Sequence, residues 1–188
     1  MIPLHLRIIE QDTIMSNEAL NRLIRTYSDF PKPGILFYDV SSIIENVDGL
    51  RLVTESLTEI VKNKKPDVLA AIDSRGFLFA PTVALACKVG VVLVRKIGKL
   101  PGDTFDESYG LEYGTDVLSI QKDRQLQGLK VLIIDDLLAT GGTIAATETL
   151  LEKAGATVLG SSVIIELDGL NGRDRLKYPV SSLTQLAG

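Results

Sequence analysis

Val131-Leu132-Ile133-Ile134-Asp135-Asp136-Leu137-Leu138-Ala139-Thr140-Gly141-Gly142-Thr143 is the stretch on which the reading of this chain turns. Four apolar residues in a row, two of them isoleucine, are the pattern of a short strand buried on both faces. The strand delivers Asp135 and Asp136 at its carboxyl end, where open α/β sheets bind their ligands. A turn of small residues and hydroxyls follows, and then Ile144 to Ala154 shows helical spacing and closes at Gly155. Gly141 and Gly142 let backbone amides come close to an anion, with Ala139 keeping the turn small. Thr140 and Thr143 add hydroxyl donors, and the helix N-terminus adds partial positive charge. The loop is built for a phosphate. A carboxylate beside a phosphate repels it unless a cation or sugar hydroxyls intervene, so the two acids suit a ligand with a phosphate and a vicinal diol, with Mg²⁺ nearby. Alternation along the strand turns only one of the two fully into the site. The plainer alternative is a tight turn whose acids complement a helix start. Neither G-x-x-x-x-G-K-[ST] nor G-x-G-x-x-G occurs in the segment.

Outward from this stretch the theme repeats. Val68 to Ile72 and Val91 to Val94 are short apolar strand candidates, and Thr157 to Leu167 is another. Between them lie a helix carrying Leu50, Val53, Leu57, Ile60 and Val61 on one side and stopped by Pro66, and a helix over Phe77 to Lys88 ended at Gly90. Ser16 reads as an N-cap for a first helix with Ala19, Leu20, Leu23, Ile24 and Tyr27 on its apolar face. It ends before the stiff turn Asp29-Phe30-Pro31-Lys32-Pro33-Gly34. Gly98 to Thr115 has neither period and reads as a long irregular loop. Alternating apolar strands and amphipathic helices imply an α/β fold, a central mostly parallel sheet flanked by helices.

The 188 residues fit one domain, since domains run to roughly 150 residues. Apolar types at 45% exclude intrinsic disorder, and the charge-free stretches fall short of the ~20 residues of a membrane span. No signal peptide is expected, so the expected location is cytoplasmic. One cysteine, Cys87, excludes an intrachain disulfide, and His5 as the one histidine argues against histidine-dependent catalysis. Twenty Lys plus Arg against 24 Asp plus Glu, net −4, argue against nucleic acid as a partner.

The apolar strand followed by D-D-x-x-A-T-G-G-T resembles the phosphoribosyl-pyrophosphate signature of the type I phosphoribosyltransferase family. Phe30 to Phe37, Asp73-Ser74-Arg75-Gly76-Phe77, Arg95 to Gly102 and Leu111-Glu112-Tyr113-Gly114 narrow the likeness to its adenine-specific branch, in order and spacing, over most of the chain from about Phe30. The resemblance implies a single domain over 1–188, with an N-terminal arm and base-binding hood at 1–40 and a flexible lid at 98–115. It implies transfer of a 5-phosphoribosyl group from phosphoribosyl pyrophosphate to adenine, giving AMP and pyrophosphate, with Mg²⁺. The alternatives are a phosphoribosyltransferase for a 6-oxopurine and a non-catalytic phosphoribosyl-pyrophosphate-binding regulator. The residues ahead of the hood are too few for a winged-helix domain, which disfavours the last.

By the same resemblance Asp73, Ser74 and Arg75 clamp the pyrophosphate, Arg75 bidentately and as a catalytic residue with Glu112 and Tyr113, and a cis peptide is expected at Asp73–Ser74. Arg95 and Lys99 add cations, while Lys96 is expected to face solvent. Asp135, Asp136, Ala139, Thr140, Gly141, Gly142 and Thr143 bind the phosphorylated ribose. Glu112 is the catalytic carboxylate near the adenine, and Tyr113 closes over the substrate. Leu36, Phe37 and Tyr38 read the base, Phe37 by stacking and the main chain beside it by hydrogen bonds. Mg²⁺ is expected on the diphosphate and ribose, with no direct protein ligand and Asp135 in reach through water. A homodimer is expected. Tyr38 stands where the family often has arginine, and Ile97 where it often has a basic residue. Gly172 to Leu176 resembles a family segment expected to be structural.

Overall fold

The computed structural model describes residues 18–111 and 114–188, in two compact units that divide between Val53 and Thr54. In the first, a helix over 18–23 (α1) precedes strands β1 (Arg25–Ser28) and β2 (Leu36–Asp39), which pair antiparallel with Tyr27 opposite Phe37. A short helix α2 (Ser41–Ile44) follows, and helix α3 (Val47–Lys64) begins. The first helix ends earlier, at Leu23, than its apolar spacing suggested, and its expected N-cap Ser16 lies outside the described residues. Thr26 and Tyr27 suit a strand, and pairing with β2 overrides the helical period. The link between β1 and β2 is folded by a cis Phe30–Pro31 bond and by Asp29, whose Oδ1 accepts the Gly34 N–H at 2.7 Å.

The second unit carries β3 (Val68–Ile72), α4 (Gly76–Cys87), β4 (Gly90–Lys96), β5 (Thr104–Leu111), β6 (Gly114–Gln121), β7 (Lys130–Leu138), α5 (Gly142–Lys153), β8 (Thr157–Asp168) and β9 (Val180–Ala187). A 3₁₀ turn, Gly172–Arg175, precedes β9. One seven-stranded sheet runs in the order β5-β6-β4-β3-β7-β8-β9, with β4, β3, β7, β8 and β9 parallel and the β5–β6 hairpin antiparallel at one edge. The expected α/β architecture with a mostly parallel sheet is present.

Both faces of the central strands are buried. Val68, Ala70, Ile72, Val131 and Ile133 pack in one cluster with Ile144, Leu150 and Leu151 of α5. The alternate residues Leu69, Ala71, Leu132 and Ile134 point the other way and are also fully buried, on the side where α4 meets β7. The continuous apolar runs of β3 and β7 follow from this double burial.

Two local expectations are corrected. α4 stops at Lys88 in the left-handed region (φ 58°), and Gly90 already opens β4. The segment 98–115 is not irregular: from Thr104 it is the first strand of a hairpin. Phe105, Glu107 and Tyr109 take the half-buried positions of β5, and Glu107 there pairs with Lys153 of α5 at 2.7 Å. A charged residue at an inward position hides the alternation from a reader of the sequence. β9 was not foreseen.

Candidate active site

β3 and β7 are adjacent and parallel, so their carboxyl ends open at one edge of the sheet. From β3 the chain turns through a cis Asp73–Ser74 peptide, as the resemblance suggested, into Arg75 at the start of α4. β7 carries Asp135 and Asp136 near its carboxyl end, then gives way to the loop 139–141 and α5. A Cβ on Gly76 would lie 2.7 Å from the Ile134 carbonyl oxygen and 3.2 Å from Asp135 Oδ1, so only glycine lets α4 begin this close to β7. Gly141 is left-handed (φ 81°) and caps α5.

These segments surround a pocket of about 320 Å³. Asp73, Ser74, Arg75, Asp135, Asp136, Ala139, Thr140, Gly141, Gly142 and Thr143 all line it. Arg75 Nε lies 2.9 Å from Asp136 Oδ2 as an ion pair, without the alignment of a hydrogen bond. Arg95 does not line the pocket: its Nε donates to Asp73 Oδ2 at 3.0 Å and its Nη1 to the Lys99 carbonyl at 3.2 Å. Lys99 lies outside the lining as well. Arg75 and Arg95 are thus held by the site's own carboxylates, and Arg175 Nη1 comes within 3.8 Å of where a Cβ on the lining residue Gly142 would stand.

Lys96 and Tyr109 line the pocket; Lys96, expected to face solvent, is 55% exposed there, and Tyr109 was not singled out. Lys96 Nζ pairs with Asp116 Oδ2 at 2.8 Å and holds that carboxyl below its usual range. The Tyr109 hydroxyl donates to Asp116 at 3.4 Å and meets the Thr143 side chain. Alternation was the available signal: Lys96 shares a strand face with buried Val94, and Tyr109 with half-buried Phe105.

Asp135 and Asp136 are 8% and 4% exposed. Burial, and then the charge of Asp136, push the Asp135 carboxyl well above the ordinary range. Burial raises Asp136 too, against the opposing pull of Arg75. Two such acids favour a ligand that offers hydroxyl hydrogens or a cation. Among the described residues no cluster of three or more His, Cys, Asp or Glu is placed to hold a metal. Asp73 and Asp136 already face arginines, and Asp135 Oδ1 accepts the Asp136 N–H at 2.9 Å. This donor set suits an Mg²⁺ that keeps its water and sits on a diphosphate, not one caged by protein.

Of the base-reading candidates, all on β2 in the first unit, Leu36 is exposed, Phe37 half-buried and Tyr38 buried. Phe30 packs edge-on against Phe37 with ring centroids 5.0 Å apart. Glu112 and Tyr113 lie outside the described residues.

A phosphate-type loop and two acids at a sheet's carboxyl edge are shared by many nucleotide-binding proteins, so the comparisons with known proteins decide the family. The phosphoribosyl transferase domain model matches residues 39–186. Adenine phosphoribosyltransferase of Gluconacetobacter diazotrophicus is 52% identical over 164 residues, covering 87% of this chain and 93% of that protein. The chain belongs to the adenine phosphoribosyltransferase family. Among solved members of that family, the Saccharomyces cerevisiae enzyme, complexed with adenine and an imino-altritol bisphosphate, superposes with a TM-score of 0.87 at 39% identity. It covers 91% of this chain and 99% of its own. The Rhodothermus marinus adenine phosphoribosyltransferase matches equally well (TM-score 0.87, 44% identity, 92% and 99% covered).

Proposed function

We propose that this chain is an enzyme that transfers the 5-phosphoribosyl group of phosphoribosyl pyrophosphate to adenine, releasing pyrophosphate and forming AMP for purine salvage. The observation that carries the reading is the pocket at the carboxyl ends of β3 and β7, lined by the acid–glycine loop, in a chain about half identical to adenine phosphoribosyltransferases.

In this reading the amides and hydroxyls of Ala139 to Thr143 hold the 5′-phosphate at the start of α5. Asp135 and Asp136 accept hydrogen bonds from the ribose hydroxyls. The turn Asp73-Ser74-Arg75 holds the diphosphate, whose oxygens compete with Asp136 for the Arg75 guanidinium. Arg95 and Lys99 supply further positive charge beside it. Mg²⁺ on the diphosphate would neutralise charge on the leaving group. The purine nitrogen forms a bond to the anomeric carbon as the bond from that carbon to diphosphate breaks, and Glu112 takes the proton that the nitrogen gives up. Tyr113 covers the reacting centre, and exclusion of water there keeps the oxocarbenium-like sugar from hydrolysis. Leu36, Phe37 and Tyr38 recognise adenine, with stacking on Phe37 and main-chain contacts to the base edge. The enzyme works in the cytoplasm as a homodimer. Exposed Leu78 and Leu85 on α4 and Leu93 and Ile97 at β4, two elements in contact, support an apolar surface for a second copy.

Pyrophosphate release measured with Mg²⁺ and adenine, hypoxanthine or guanine tests the reading. Release with adenine alone is expected. Release with a 6-oxopurine instead makes this an oxopurine enzyme, and none with any base leaves a binding protein. Glu112→Gln is expected to lower kcat by about 10²–10⁴-fold with phosphoribosyl pyrophosphate affinity nearly intact. Unchanged turnover removes Glu112 from the mechanism.

A further inference from the structure

The Gly172–Arg175 turn was expected only to be structural, yet its backbone rests on the phosphate loop. Gly172 is buried, and a Cβ added to it would lie 2.2 Å from the Ala139 carbonyl oxygen and 2.9 Å from Leu138 Cδ1. In the reverse direction, a Cβ on Gly141 would lie 2.3 Å from the Gly172 carbonyl oxygen. Main chain therefore packs on main chain along the back of the loop whose front lines the pocket. Asn171, left-handed at φ 51°, bends the chain into this approach, and its carbonyl accepts the Asp174 N–H at 3.1 Å.

One ion pair ties the turn down. Arg173 donates through Nε to Glu166 Oε1 and through Nη2 to Oε2, both at 2.5 Å, and through Nη1 to the Val180 carbonyl at 3.1 Å. Ser182 Oγ donates to Glu166 Oε2 at 2.8 Å, and Gln185 Nε2 donates to it at 3.3 Å. Glu166 sits on β8 directly opposite Leu138, the last residue of β7 before the loop. The Arg173 hydrogen bonds hold the Glu166 carboxyl low, at about 2, so the pair stays ionised across the physiological range. Glu166 is buried while the Arg173 side chain is 47% exposed, so the pair is only partly desolvated; such a pair is poor evidence of stability by itself, and fixing a register is its best-attested use. The two-pronged guanidinium–carboxylate contact sets orientation as well as distance.

We infer that Glu166 and Arg173 are positioning residues for the substrate phosphate: they clamp the 3₁₀ turn so that Gly172 backs Ala139 and Gly141 and keeps the loop's amides aimed into the pocket. This rests on the reading of Ala139 to Thr143 as the 5′-phosphate site. Neither residue touches substrate. Their effect reaches the ligand only through the loop, and so acts on the 5′-phosphate and not on the diphosphate turn at Asp73 to Arg75.

The test compares wild type, Arg173→Lys, Ser182→Ala and Thr140→Val in the full chain. Calorimetric affinities for AMP and for Mg²⁺-pyrophosphate are measured together with KM for both substrates, kcat and melting temperature. Arg173→Lys keeps the charge and loses the fork. AMP affinity and KM for phosphoribosyl pyrophosphate are expected to worsen by about tenfold, the size seen when an outer-shell partner of a binding site is lost. Pyrophosphate affinity and the KM for adenine stay at wild-type levels. A lower melting temperature with AMP and pyrophosphate affinities both unchanged overturns the inference, because a merely structural pair would behave so. Ser182→Ala removes one bond to Glu166 without stranding a charge, and serves if Arg173→Lys does not fold. It shifts AMP affinity in the same direction by less, and no shift overturns the inference. Thr140→Val separates the two levels: if it leaves AMP affinity intact, the loop is not the phosphate site. If it weakens AMP while the Arg173 and Ser182 variants do not, only the positioning role fails.

Discussion

At the residue scale, Asp135 and Asp136 are held where a carboxylate is least comfortable. They are buried side by side, and one arginine faces the pair. Because the Asp135 pKa is raised on folding, the folded chain binds its proton more tightly than the unfolded chain does. The stability associated with that proton is present in full below the unfolded value of about 3.9 and is lost as pH rises towards the folded one. Asp135→Asn keeps the shape and removes the charge. We expect a higher melting temperature than wild type at pH 7, a difference that shrinks on acidification, and kcat/KM for phosphoribosyl pyrophosphate lowered by about tenfold or more, the cost of leaving a ligand hydroxyl mispaired. An equal or lower melting temperature at pH 7 would mean that the ionised acid carries no penalty in the empty site. The acids themselves were legible in the sequence, since they end an apolar strand. Their ties to Arg75, 61 positions away in Asp136's case, were not, because no local pattern says which carboxylate a guanidinium will take.

At the scale of elements, the β5–β6 hairpin narrows the expectation of a lid over 98–115. Its root belongs to the core: Leu118 and Ile120 are fully buried, Phe105 packs against the same cluster, and Ser119 donates to Asp106 at 2.6 Å. Lys153 holds the outer strand to α5 through Glu107 and through the Asp106 carbonyl at 3.0 Å. Leu118→Ala is therefore expected to cost about 2–5 kcal/mol of folding stability, as for other buried leucines, measurable by denaturant unfolding. A loss near zero would mean that the hairpin root is not part of the cooperative core. α3 and α5 were readable because each carries a helical period, and β3 because it is a short unbroken apolar run. β5 was not, because its inward face alternates aromatic and charged residues and its partner on α5 lies more than 40 positions away.

At the scale of the whole molecule, a net charge of −4 coexists with a pocket that has cations in and beside its lining. Cations gather there locally: Arg75 and Lys96 line the pocket, Arg95 stands beside it on Asp73, and Arg175 reaches towards Gly142 of its lining. Among the described residues no helix is long and apolar enough to cross a membrane. The second unit nevertheless leaves large apolar side chains in the open, with Leu85 82% exposed and Ile97 56%. Isolated exposed leucines are ordinary, but several on two touching elements mark an interaction surface. If that surface joins two copies, wild type sediments as a dimer and Leu85→Glu as a monomer in analytical ultracentrifugation. A wild-type monomer, or a variant that stays dimeric, places the interface elsewhere or removes it.

The sequence by itself determined the α/β class, the bounds of β3, most of α3 and α5, and the acid–glycine loop at a strand end. Each of these rests on residues close together in the chain, where period, capping and turn chemistry act. Only the tertiary structure decided the strand order, the hairpin at the sheet edge, the placing of Lys96 and Tyr109 in the pocket, and the turn that backs the acid–glycine loop. Those depend on pairings between distant segments: Arg75 with Asp136, Lys96 with Asp116, Arg173 with β8 and β9. Charged side chains leave no periodic trace of their partners, so the partner is known only once packing has brought the two together.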